Sequence, residues 1–156
     1  MSNDEIKRTI DDFLSFIETG CGSSDENHRK LKLYVDQPAL AQHFAECTFD
    51  ERKYPDPPDR PYEELRKLVS ARFPSYGFYN VAEDVVENLS ESKTGIGDAI
   101  DDLADIARDL FKVKWRWENN SPEDGIWQFK FTFDVHWSLH LRELQLFLVH
   151  HDQHVE

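Results

Sequence analysis

The sequence predicts an all-α fold, a single irregular bundle of five or six helices spanning residues 1–156. Three observations carry that reading: two reciprocal capping signatures near the N-terminus, an apolar arc through residues 96–111, and a proline-led helix start at Ser121. At 156 residues the chain has the length of one domain, and a domain of that size buries about two-thirds of its unfolded surface. Four Trp, five Tyr and eleven Phe supply large side chains for the core.

The first helix begins at Ser2, with Glu5 three positions on, the arrangement in which side chain and backbone satisfy each other's free groups. Ile6, Ile10, Phe13 and Ile17 then recur at helical spacing, and Gly20 can end the helix. Ser23 and Glu26 repeat the capping pattern before Leu31, Tyr34 and Val35. Pro38 must then kink or restart the helix that carries Leu40 and Phe44, so the second arm reads as two pieces. Pro55, Pro57, Pro58 and Pro61 make residues 48–60 an extended connection. Pro61 falls in the first turn of a third helix capped by Asp59 or Arg60, with Tyr62, Leu65, Val69 and Phe73 on its apolar side. Pro74 and Gly77, set among Tyr76, Phe78 and Tyr79, mark a turn packed on the core, and a short helix is expected over Val81–Leu89.

From Gly97 to Trp117 the helical signal is clearest. At about 100° per residue, Ile96, Ile100, Leu103, Ile106, Ala107, Leu110 and Phe111 fall in one arc. Beyond it the sequence admits two readings. Val113, Trp115 and Trp117, then Trp127, Phe129, Phe131, Phe133, Val135 and Trp137, alternate as the strands of a C-terminal β-hairpin would, which gives an α+β alternative. Against this, Ser121-Pro122-Glu123-Asp124 supplies an N-cap, a proline at the first helical position and two acids facing the positive helix end. We favour the helical hairpin. The last helix, Ile126 to Val149, then carries apolar residues on two faces. Ile126, Phe133, Trp137, Leu144 and Phe147 form one, and Phe131, Val135, Leu139 and Leu146 the other, as in a bundle centre or a homodimer interface.

The residues Asp101-Asp102-Leu103-Ala104-Asp105-Ile106-Ala107-Arg108-Asp109-Leu110, Ile126-Trp127-Gln128-Phe129-Lys130-Phe131 and His136-Trp137-Ser138-Leu139-His140-Leu141 resemble a family of small bacterial proteins classed as a domain of unknown function. The resemblance is good in the C-terminal third and weak over the rest. It implies a helical fold and a bacterial cytosolic origin, and no activity, cofactor or catalytic residue. Members of that family often carry Gly where this chain has Ser138, a difference that bears on packing beside Trp137.

Charge narrows the partners. Thirty-one acidic residues against 18 basic give a net charge of −13, which repels phosphate backbones and anionic membranes. Nucleic acid and membranes are therefore not expected as partners, and an electrostatic partner should be basic. Nine of the carboxylates lie between Glu83 and Asp109, where Lys93 and Arg108 are the only cations. No leader or spanning segment is read, and with Cys21 and Cys47 outside any metal or redox spacing the expected setting is the cytoplasm.

Two constellations offer chemistry. Asp98, Asp102, Asp105 and Asp109 form a carboxylate row on one helix, able to present oxygens to a divalent cation. On the helical projection they lie nearly opposite the Ile100–Leu103–Ala107 arc, so they read as a solvated face placed by the macrodipole. His136, His140 and Glu143 share one side of the last helix at a spacing that lets two imidazoles hold one metal ion, and Asp102 or Asp109 could complete the set. His150, His151 and His154 at the C-terminus read as solvated. There is no phosphate-binding loop and no nucleophile elbow. The function expected first is a non-catalytic interaction or regulatory module without a cofactor. The alternative is a metal-dependent hydrolase or phosphate-handling enzyme with a His/carboxylate site in a helical bundle.

Overall fold

The computed structural model describes residues 1–154. It contains six α-helices and one two-stranded sheet: α1 (Asn3–Thr19), α2 (Ser24–Ala41), α3 (Tyr62–Arg72), β1 (Phe78–Ala82), β2 (Thr94–Asp98), α4 (Ala99–Asn119), α5 (Pro122–Thr132) and α6 (Ser138–His154). A π-helical turn, Phe133–Trp137, joins α5 to α6. The helical class is as the sequence predicts, and the β-hairpin alternative does not occur at residues 113–137.

Local chemistry sets the helix starts. Ser2 and Glu5, and Ser23 and Glu26, form the two reciprocal capping boxes. Ser121 accepts a hydrogen bond from the Asp124 amide, with Pro122 at the first helical position. Three local expectations are corrected. Helix α2 runs through Pro38 and ends one turn later at Ala41, because a proline in the last turn breaks few bonds. Pro61 is itself the N-cap of α3 and makes no side-chain cap bond. The helix expected over Val81–Leu89 is instead a β-hairpin arm and its loop: β1 pairs antiparallel with β2, Asn80 opposite Ile96. Gly97 and Ile96 therefore belong to a strand, and α4 starts with Asp98 as its N-cap, accepting from the Ile100 and Asp101 amides.

Helix α4 is central, packed against α1, α3, α5 and α6. Its Leu103, Ala104, Ile106, Ala107, Leu110 and Val113 are fully buried, and they meet Ile10, Phe13, Leu65, Phe129, Trp137 and Leu144 in one core. The 48–60 connection is extended and strapped across α4 by Arg116–Asp56 and Arg108–Asp59 pairs and by the Ser121 hydroxyl donating to Asp50 at 3.1 Å.

The last helical segment buries only one of its two apolar faces. Ile126, Phe133, Trp137 and Leu144 are in the core, whereas Phe131, Val135, Leu139 and Leu146 are about half exposed or more. The π-turn has a reason in the spacing. Phe129, Phe133, Trp137 and Leu141 are all buried and stand four residues apart, and three such steps would rotate a regular α-helix's seam by about 120°, at 100° per residue. The wider turn takes up that drift and keeps all four on one side.

At the far end of α6, His151 is not solvated as expected. Its ring packs against His28, Tyr76 and Phe147, and its Nδ1 is buried without a hydrogen-bond partner. Burial, then the neighbouring His28, hold the His151 pKa below its ordinary 6.5. Its neutral form thus stabilises the fold above pH 6.5, and that contribution is lost as the pH falls through the lowered value. Hydrogen exchange of the last two turns of α6, corrected for intrinsic rate, should therefore speed up between pH 7 and pH 5, and His151→Phe should reduce the change. Equal protection at both pH values in the unaltered protein would refute this. The neighbouring His28 is also held below its ordinary value, by burial first and then by Lys32, against the attraction of Asp25.

Candidate metal centre

The two constellations read separately in the sequence are one site. The expectation that the acidic row faces solvent is overturned: Asp102 and Asp109 are buried, and α6 with the π-turn lies against them. The projection placed them opposite part of the apolar arc, but four helices pack around α4, so its buried arc is wider than an ordinary amphipathic face and reaches the aspartates' edge.

Asp109 Oδ2 lies 2.6 Å from His136 Nδ1, and Asp102 Oδ1 lies 2.7 Å from His140 Nδ1. A neutral imidazole donates from the nitrogen that faces a carboxylate, so these bonds fix Nδ1–H and leave Nε2 with its lone pair. Asp105 stands beside His140, its Oδ2 3.7 Å from His140 Nε2, while the two imidazole rings pack edge to face with centroids 5.1 Å apart. One ligand atom from each of Asp105, His136 and His140 lies within 4.8 Å of the other two. Ligand atoms around a tetrahedral ion stand about 3.4 Å apart, given bonds of about 2.1 Å. Convergence on one ion therefore needs movements of little more than about one ångström.

The orienting carboxylates are 5% and 13% exposed at Asp102 and Asp109, while the side chains of Asp105, His140 and His136 are 21%, 27% and 45% exposed. Candidate ligands thus reach water and their supports do not. Tyr79 of β1 donates its hydroxyl to the second oxygen of Asp102, and Tyr62 of α3 donates to Asp101. Tyr79 reaches that point because its ring lies on Gly97 across the hairpin, where a Cβ would stand 2.6 Å from the ring. Arg66 pairs with Asp98 at 2.7 Å and closes the N-terminal end of the row.

The electrostatics match a cation site. The Asp102 hydrogen bond, against the opposing effect of burial, raises the pKa of His140, with Asp102, Asp105 and Asp101 adding attraction for positive charge. Burial first, then Asp105 and Asp102, raise the Asp101 pKa. Glu143 is also raised, by burial and by Asp102.

Of the sequence candidates, His136 and His140 come together, and Asp102 and Asp109 stand behind them on the Nδ1 atoms. Glu143 lies beside His140 but outside the three-ligand cluster, facing a neighbouring groove. Asp105 takes the place that the sequence reading gave to Glu143. Its signal was present in the row spacing, whereas Tyr79 carried none, since its position depends on a hairpin the sequence did not reveal. A second group, His28, His151 and Asp152, also clusters. There Lys32 already supplies Asp152 with a cation, and both His28 nitrogens are engaged, Nδ1 by Tyr76 at 2.6 Å and Nε2 by Asp152.

A family described as a domain of unknown function, DUF5063, matches residues 4–154. The chain belongs to this family. Its match covers nearly the whole chain, which corrects the expectation of a likeness good only in the C-terminal third. The crystal structure of protein BF1032 from Bacteroides fragilis is similar to this chain in fold, with a TM-score of 0.74 at 16% identity, over 98% of this chain and 92% of that one. No curated protein matches. Among the described residues, no helix is long and apolar enough to cross a membrane.

Proposed function

We propose that this protein binds one divalent transition-metal ion through Asp105, His136 and His140, and that the ion serves a reaction rather than the fold. The observation that supports this reading is the pair of buried carboxylates, Asp102 and Asp109, each holding one imidazole by Nδ1, with His140 Nε2 turned to Asp105 at 3.7 Å and a ring nitrogen of His136 in the same cluster. Carboxylate–histidine–metal arrangements of this kind fix the tautomer and strengthen the ligand. Mixed nitrogen and oxygen donors suit zinc, nickel or cobalt better than magnesium or calcium.

Three protein ligands leave a fourth position for water or substrate, as in catalytic rather than structural zinc sites. An ion there supplies Lewis acidity and a bound water of lowered pKa, which is the chemistry of metal-assisted hydrolysis. The fold itself is held by an apolar core to which none of the three ligand side chains belongs. A purely electrostatic module for a basic partner is less well supported, because Asp98, Asp101, Asp102 and Asp109 are engaged within the chain.

Cobalt titration tests the reading. One equivalent of Co²⁺ should bind and give the visible absorption of a low-coordinate ion, and His136→Ala and His140→Ala should each abolish it. Saturating absorption that survives both substitutions, or no binding by calorimetry with Co²⁺, Zn²⁺ or Ni²⁺, would remove the metal reading.

A further inference from the structure

Five large apolar side chains, Val85, Val86, Leu89, Leu139 and Leu146, are exposed where a groove and a loop adjoin. Between the inner face of the hairpin and α6 runs a groove of about 670 Å³, floored by Val81, Leu139, Leu146 and Phe147. Arg142, His150 and His154 also line it. Arg142 bonds Gln145 at 3.1 Å and pairs with no carboxylate among the described residues. Next to the groove, the hairpin loop holds Val85, Val86 and Leu89 in solvent at 77%, 82% and 76% exposure. That loop is braced from within: Asp84 accepts from the Val86 and Glu87 amides and from the Asn88 side chain, and Asn88 and Ser90 take left-handed backbone angles. A braced turn thus presents three large apolar residues outward, an arrangement that costs solvation unless something covers it.

We propose that a second copy of the chain covers it, in a two-fold homodimer where the Val85–Leu89 loop of each protomer seats in the groove of the other. Both halves of the contact are on one chain and they are complementary. The loop is apolar with Glu83, Glu87 and Glu91 around it, and the groove is apolar with Arg142, His150 and His154 along it against the single carboxylate of Glu143. Val85 itself lines the groove, so loop and groove are close enough for one two-fold axis to exchange both at once. Such reciprocity is what a closed symmetric contact requires. Leu139 and Leu146, half of the apolar face left open on the last helix, are covered by the same contact.

The test uses the full chain and two variants that break opposite halves, Val86→Asp in the loop and Leu146→Asp in the groove. Each site is exposed in the single chain, so both variants should keep the helical circular-dichroism spectrum. Leu139→Asp is a second groove variant should Leu146→Asp lose it. Light scattering should give a dimer for the unaltered chain. Each variant alone should be monomeric, its dissociation constant raised by at least about tenfold for a charge placed in a contact centre. An equimolar mixture retains one intact loop–groove pair and should form heterodimers of one chain of each kind, read by native mass spectrometry. A monomeric unaltered chain overturns the proposal, whether free or carrying a copurified amphiphile in the groove. Homodimers of either variant also overturn it, as does a mixture without heterodimer. None of these outcomes depends on the metal ion.

Discussion

Trp137→Ala is expected to destabilise the protein by about 3–5 kcal/mol, the range for removing a large aromatic from a core. Trp137 is fully buried, and its ring meets Phe133 at 4.7 Å and Phe129 at 5.5 Å between centroids. Its Nε1–H donates to Thr132 Oγ1 at 3.1 Å, and the Thr132 hydroxyl donates in turn to the Gln128 carbonyl at 2.8 Å. The indole thus closes the π-turn from inside as well as filling the core. The thermal midpoint should fall by on the order of 10 °C for a chain of this size. Trp137→Phe keeps the ring contacts, loses the hydrogen bond, and should recover most of the loss. A midpoint within about 2 °C of the unaltered protein for Trp137→Ala would show that this junction does not carry the packing assigned to it.

Asp102→Asn should weaken divalent-metal binding by about 10- to 100-fold, although Asp102 lies behind His140 instead of facing the ion. The carboxylate accepts from Tyr79 on one oxygen and faces His140 Nδ1 with the other. An amide keeps one acceptor for His140 Nδ1–H and meets the Tyr79 hydroxyl only as a donor, so that bond must reverse, and the negative charge that strengthens His140 as a ligand is gone. His140→Ala removes a ligand outright and should cost at least as much. Calorimetric titration with Zn²⁺ measures both. Unchanged affinity in Asp102→Asn beside lost affinity in His140→Ala would reduce Asp102 to a packing role.

Much of the helical framework was legible because it is written in short-range chemistry. Ser2 with Glu5, Ser23 with Glu26, and Ser121 before Pro122 each need only neighbours within four residues, and each starts a helix as expected. The hairpin was not legible. Thr94-Gly95-Ile96-Gly97-Asp98 has two glycines and weak strand character, and it becomes a strand only because Phe78–Ala82 pairs with it. The candidate site fell between these cases. The spacing of His136 and His140 showed that they share a side, but the role of the aspartates depended on how many helices surround α4. A single-helix projection holds no such information, and it assigned Asp102 and Asp109 to water.

The π-turn also bears on how this chain compares with its relatives. A π-turn amounts to one residue more than an α-helix needs across the same span. His136 lies inside that turn and His140 just after it, so deleting Val135, whose side chain faces solvent, would remove the extra residue and leave a regular α-helix with the segments on either side in the same rotational register. Phe129, Phe133, Trp137 and Leu141 would then fall within about 60° of one another at 100° per residue, and His136 would keep its place four residues before His140. Length across residues 132–138 thus becomes a marker in the family: sequences one residue shorter there are expected to hold a straight helix with the same seam. Sequences of either length that carry both histidines are the ones in which to look for the same chemistry.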